Sequence, residues 1–159
     1  MKALIGMSGG VDSSVAALLM QQAGFECIGA TMRLYAGQVE APNGTKTCCS
    51  LDDVEDARSV ARRLGIAHYV FNFTDEFYAD VIDRFVDTYY SGGTPNPCID
   101  CNRYLKFGKL LQRARELGCD CVVSGHYAKV ERDEHTGRFL LKRAADRAKD
   151  QTYFLACLT

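Results

Sequence analysis

The residues most able to do chemistry lie in two short stretches. In the first, Ser8-Gly9-Gly10-Val11-Asp12-Ser13-Ser14 follows a short apolar run at 2–7, and Val11, Val15, Leu18 and Leu19 recur at helical spacing. Two glycines let a backbone approach an anion and adopt conformations closed to other residues. Successive N–H groups can then form an anion nest, to which a helix N-terminus adds partial positive charge. Ser8, Ser13 and Ser14 offer hydroxyl donors to phosphate oxygens. Asp12 repels a bare phosphate, so its place in the loop makes sense with a magnesium ion between carboxylate and phosphates. The plain alternative is a glycine turn with serine caps at an ordinary strand-to-helix junction.

The second stretch is Thr94-Pro95-Asn96-Pro97-Cys98-Ile99-Asp100-Cys101-Asn102, followed by Lys106-Phe107. Two prolines stiffen the approach. The pattern predicts a helix over 104–117, which puts Cys101 just before its N-terminus, where a thiol loses its proton more readily. Arg103 and Lys106 add positive charge nearby. Such a thiol suits a nucleophile or persulfide carrier. A C-x-x-C pair is also half of a zinc or iron–sulfur site, which normally needs four ligands, and two buried thiols are the plain alternative. The sequence has no second C-x-x-C, and Cys119 and Cys121 make only C-x-C.

These stretches need elements to hold them. Strands are predicted over 2–7, 25–32, 68–72, 121–124 and 139–141. A helix capped by Ser50 runs through Val54, Ala57, Ala61 and Leu64 to a stop at Gly65. Phe77, Val81, Phe85 and Tyr89 mark another helix face, and 91–97 is a strong breaker. The 35–50 segment reads as a long polar loop with Pro42-Asn43-Gly44 as a turn. Alternation of strand and helix gives an α/β domain with a mainly parallel sheet and helices on both faces. In such sheets ligands sit at the carboxyl ends of the strands, where Gly9-Gly10, the stretch after Met32, and Gly125 all fall.

At 159 residues the chain is one domain's worth, with 47% apolar and 25% charged residues, and can bury a core without staples. No stretch suits a membrane span or a signal peptide, so a cytoplasmic protein is expected. In that compartment the eight cysteines point to reactive or metal-binding thiols before disulfides. The net charge of −1 gives no general field for nucleic acid, although Arg138, Lys142, Arg143, Arg147 and Lys149 make one late stretch basic. The final 153–159 segment reads as an apolar helix that runs on past the last residue, and the chain is expected to be a piece of a longer protein.

The first stretch resembles the signature of the PP-loop ATP pyrophosphatases, whose fold is that of the adenine nucleotide alpha hydrolases; the Gly-Lys-Ser/Thr ending of a Walker loop is absent. With the cysteine loop, Cys48-Cys49-Ser50, Asp56-Ala57-Arg58, Leu64-Gly65-Ile66, His68-Tyr69-Val70, Ser124-Gly125-His126-Tyr127-Ala128 and Lys149-Asp150-Gln151, essentially the whole chain resembles the N-terminal domain of the bacterial tRNA-specific 2-thiouridylases. The resemblance implies an enzyme that uses ATP with magnesium to adenylate the C2 oxygen of a wobble uridine, after which sulfur displaces AMP. It implies lysine, glutamate and glutamine tRNAs as substrates, and a sulfur-donor protein such as a cysteine desulfurase or a sulfur relay protein. Gly6, Met7, Ser8, Gly9, Gly10, Val11, Asp12 and Ser13 would bind ATP, with Met32 at the adenine and Gly125 also lining the site. Asn96, Pro97 and Cys98 would meet the target base, Cys101 would be the catalytic nucleophile, and Lys149, Asp150 and Gln151 would touch tRNA.

Where many members of that family carry an acid, this chain has Cys98. The pair resembles a second branch, for which an iron–sulfur cluster at Cys98 and Cys101 is open. The family's persulfide cysteine and its later central and C-terminal β domains lie outside these residues, so the chain is expected to hold the nucleotide half of the activity and not to turn over alone. Two rivals stand beside this reading. One is another PP-loop adenylating ligase, such as an amide- or lysidine-forming synthetase, which needs no C-x-x-C. The other is a non-catalytic ATP- or tRNA-binding module. His126 is either a base or a loop-positioning residue, and His68 and His135 carry no partner pattern.

Overall fold

The structure is a computed structural model and describes residues 1–35 and 51–158. The Pro42-Asn43-Gly44 turn, Cys48-Cys49 and the Ser50 cap lie outside the described residues. Apolar runs too short for helices form four parallel strands, β1 (Lys2–Gly6), β2 (Glu26–Arg33), β3 (Ala67–Asn72) and β4 (Cys121–Val123), in the order β3-β2-β1-β4. The register is continuous: Leu4 lies between Ile28 on one side and Val122 on the other.

Alternation along β1 divides the core into two layers. Ala3, Ile5 and Met7 face α1 (Val11–Gln22) and α2 (Leu51–Leu64), packing with Ala17, Ala57 and Ala61. Leu4 faces the other way, with Ile28, Ala30 and Met32, toward two longer helices at 74–90 and 97–116. The expected α/β sandwich is therefore the observed one, and α2 ends where expected, at Gly65 with φ +68°. Both longer helices contain a widened π segment, Tyr78–Ile82 and Cys101–Lys109. In the second, the Leu110 N–H reaches back five residues to the Leu105 carbonyl.

Four details depart from expectation. The second long helix begins at Pro97 instead of 104, so Cys101 lies inside it and Asn96 takes the capping position. The Asn96 side chain accepts from the Cys98 N–H at 3.2 Å, and proline at the first helical position suits a site whose N–H would be unpaired anyway. On α1 the expected apolar stripe faces solvent, with Val11 75% exposed, while Ser13 and Ala17 are buried; small side chains let the helix N-terminus lie close to the sheet. Residues 139–141 belong to β6 (Phe139–Lys142), which pairs antiparallel with β5 (Lys129–Arg132) in a separate ribbon instead of joining the parallel sheet. The expected terminal helix is one 3₁₀ turn, Thr152–Leu155, in the described residues.

Candidate functional site

Strand order reverses at β1: the chain steps from β1 to β2 to β3 on one side, then places β4 on the other. The carboxyl ends of β1 and β4 diverge there into loops, which is where open α/β sheets bind ligands. A cavity of about 290 Å³ opens at this point. Gly6, Met7, Ser8, Asp12 and Ser13 line one side, Cys98, Cys101, Asn102 and Lys106 another, and Ser124, Gly125, His126 and Gln151 a third. Met32, Ala30, Leu34 and Val122 give it an apolar floor. Two stretches some ninety residues apart in sequence thus share one space.

The loop between β1 and α1 is built for close approach. Gly9 has φ +75°, and a Cβ there would lie 2.6 Å from the Asp53 carbonyl oxygen. Gly10 caps α1 and supplies no side-chain acceptor, which leaves the first N–H groups of a 12-residue helix open to an anion. The serines divide their work. Ser13 is buried and Ser14 half-buried, and both hydroxyls donate to the Gly10 carbonyl, at 3.0 and 2.9 Å, bracing the turn. Ser8 is exposed, and its N–H donates to Ser13 Oγ at 3.3 Å.

Gly125 closes the cavity from the β4 side. A Cβ there would stand 2.7 Å from the Asp12 carbonyl carbon and 2.8 Å from the Ser13 nitrogen, so only glycine lets this loop rest on the first turn of α1. Tyr127, two residues on, donates its hydroxyl to Asp12 Oδ1 at 2.6 Å. Asp12 is exposed in the first turn of α1, and Oδ2 accepts no hydrogen bond from the described residues. One carboxylate beside an open helix N-terminus fits magnesium arriving with ATP, since that ion takes one or two carboxylates and fills its sphere with phosphate oxygens and water.

Cys98 is exposed and Cys101 half-buried, three residues apart on one helix. Asn102 is buried; its amide nitrogen donates to the Cys98 carbonyl at 2.8 Å, and its Oδ1 has no hydrogen-bond partner among the described residues. The helix is tied to its neighbour by Arg84, 3.8 Å from Asp100 and 5.0 Å above the Tyr104 ring. No group of three or more metal-binding side chains gathers among the described residues. Two thiols alone do not complete an iron–sulfur cluster, so the described residues do not fit one.

His126 sits between Phe107 and Phe154, with Nδ1 2.7 Å from Ser124 Oγ. Burial, and then the charge of Lys106, push it down to about 4, so the ring is neutral at physiological pH. Gln151 lines the cavity and is engaged internally: its Oε1 accepts from the Tyr127 N–H at 3.0 Å, and its own N–H donates to the Tyr127 carbonyl at 3.0 Å. Asp150 accepts from the Ala144 N–H and the Thr152 hydroxyl, at 2.7 and 2.6 Å, while Lys149 is exposed with its ammonium 5.5 Å from the Tyr127 ring.

A family model described as the tRNA methyl transferase HUP domain matches residues 1–159. The chain belongs to this family. Over 160 residues this HUP domain is 55% identical to tRNA-specific 2-thiouridylase MnmA of Clostridioides difficile strain 630, covering 99% of this chain and 44% of that protein. It is 55% identical over 158 residues to tRNA-specific 2-thiouridylase MnmA of Clostridium perfringens strain 13, with the same shares covered. The chain thus spans less than half the length of these relatives. A structure described as a predicted subunit of tRNA methyltransferase from Methanocaldococcus jannaschii is similar with a TM-score of 0.51 and 21% identity, over 87% of this chain and 57% of that one. At that identity the likeness speaks for the fold alone.

Tyr127 and Asn102 stand in the recognised segments, yet sequence reasoning gave neither a role. Their partners and burial follow from packing, and local spacing carries no sign of either.

Proposed function

We propose that this domain binds ATP with magnesium at the 6–13 loop and serves the 2-thiolation of a tRNA wobble uridine, with Cys101 as the sulfur-handling nucleophile. The observation that carries this reading is the single cavity lined by the anion loop and by both thiols. An ATP site alone would suit many adenylating ligases; a thiol pair within the same space suits sulfur replacing an activated oxygen. The names of the relatives point the same way.

Uracil's carbonyl oxygen leaves poorly, so its activation explains the need for ATP. The C2 oxygen attacks the α-phosphorus, and the bond to pyrophosphate breaks. A persulfide sulfur, passed from a donor protein to a carrier cysteine outside these residues, attacks C2, and AMP leaves with the oxygen. The Cys101 thiolate then attacks the carrier cysteine's sulfur, a disulfide forms, and the electron pair of the broken S–S bond stays on the uridine's sulfur. A thiol reductant resets the pair. Magnesium bound with ATP offsets phosphate charge, and Asp12 is the residue that would hold it. The open N–H groups of α1 would take the phosphates and the floor around Met32 suits a purine, while Cys98 on the cavity wall, next to Asn96 and Pro97 at the helix start, supports the reading of these three as contacts of a flipped-out base. Lys149, Asp150 and Gln151 would contact the tRNA, a reading supported by the exposure of Lys149 and by the bonds of Asp150 and Gln151 to Ala144 and Tyr127, which order the segment.

Calorimetry and alkylation test this on the chain itself. Saturating ATP–magnesium should slow iodoacetamide labelling of Cys98 and Cys101 about tenfold and leave Cys157 unchanged, since ligand in a shared cavity excludes the reagent. Asp12→Ala should remove most of the magnesium-dependent part of the affinity. Equal magnesium-dependent affinity in wild type and variant, or no protection of either thiol at saturation, would overturn the assignment.

A further inference from the structure

Asp12 stands on the exposed first turn of α1, where a carboxylate beside incoming phosphates is pushed away unless something fixes it. Tyr127 fixes it. The hydroxyl donates to Oδ1 at 2.6 Å across 115 residues of sequence, and Oδ2 is left without a partner among the described residues. Tyr127 is in turn held at its main chain by two bonds with Gln151, both 3.0 Å. Gly125, two residues earlier, rests against the Asp12–Ser13 peptide itself. The tyrosine therefore reaches Asp12 from a backbone anchored on both sides.

We propose that Tyr127 is a positioning residue for the nucleotide's divalent cation: its hydroxyl holds one oxygen of Asp12 and turns the other toward the metal. This rests on the reading of the 6–13 loop as an ATP–magnesium site. Carboxylates that bind metals are commonly oriented by such outer partners, whose removal typically costs about 10–100-fold in metal affinity. Among the described residues nothing else donates to the Asp12 side chain, and the tyrosine is the group that sets its direction there.

Manganese(II), whose paramagnetic signal reports bound ion directly, is the probe. The chain is titrated with manganese at saturating ATP, and ATP affinity is measured separately without any divalent ion. Tyr127→Phe should weaken manganese binding about tenfold or more, with metal-free ATP affinity and melting temperature close to wild type. Asp12→Asn should lose the protein's contribution to cation affinity, and adding Tyr127→Phe to it should cost nothing further. If Tyr127→Phe matches wild type while Asp12→Asn fails, the tyrosine proposal is overturned and the role of Asp12 stands. If Asp12→Asn also matches wild type, the underlying site reading fails. Equal losses in metal-free ATP affinity and stability on Tyr127→Phe would make the tyrosine structural only, which also overturns the proposal.

Discussion

A histidine pushed down to about 4 against an ordinary 6.5 binds its proton more weakly folded than unfolded. Between those two values the unfolded chain takes up more protons, so stability falls as pH drops from about 6.5 toward 4 and loses nothing further from this group below it. His126 should therefore contribute a loss on the order of 1 kcal/mol across that window, discounted because the ring is only partly buried. Urea unfolding at a series of pH values should show a flatter profile for His126→Gln; parallel profiles would refute it. The phosphate-loop residues were legible at this scale because their roles depend on neighbours in sequence: Gly9's positive φ and the uncapped start of α1 follow from local order. The sequence does not decide between base and positioning residue for His126, because its burial is made by Phe107 and Phe154, which spacing does not reveal. His68 gains a structural setting in the same way: Thr31 donates to the Met7 carbonyl at 2.8 Å and stands 2.9 Å from His68 Nε2, so the ring supports the end of β1.

Loops and helix ends decide whether the site assembles. Gly125 is the contact between the β4 loop and α1, and its neighbours there are backbone atoms that cannot swing aside. Gly125→Ala should therefore push the loop off α1, costing about 1–3 kcal/mol of stability as an overpacked contact and weakening ATP–magnesium binding. Thermal melts with and without nucleotide check both; an alanine variant with wild-type affinity would show that the close approach is dispensable. Element boundaries explain the largest misreading. The two prolines at 95 and 97 read as a breaker, yet Pro97 opens the helix and Asn96 caps it. Proline signals an interruption and a helix start with the same residue type. That shift matters chemically: a helix N-terminus favours the thiolate of a cysteine in or just before its first turn, and that turn holds Cys98, with Cys101 farther along.

Across the whole molecule, the site depends on one parallel sheet and the two loops at its reversal point, while the ribbon of β5 and β6 stands apart. Every residue of both strands is exposed, with Val130 at 65% and Phe139 at 74%. The ribbon closes on its own turn, where Asp133 accepts from the His135 N–H and the Thr136 hydroxyl at 2.9 and 2.8 Å. Its Lys142–Glu131 ion pair is a surface pair and contributes little. A lone two-stranded hairpin is marginal in water, so it lends the sheet little stability. Parallel topology was legible from alternation of strand and helix, but 139–141 looks the same whether it joins that sheet or pairs with 129–132, since pairing partners are not written in a strand's own residues. Lys129 and Lys142 are directly paired, which makes them the place to cut. Replacing residues 130–141 with Asn-Gly, a two-residue turn suited to a hairpin, should keep cooperative unfolding within about 1 kcal/mol of wild type. ATP–magnesium affinity should stay within about twofold, because the tie between Gln151 and Tyr127 lies outside the excised residues. Denaturant unfolding and calorimetry on the shortened chain measure both. A loss of cooperativity, or a tenfold fall in affinity, would mean that the ribbon holds the 124–128 loop in place and belongs to the nucleotide site.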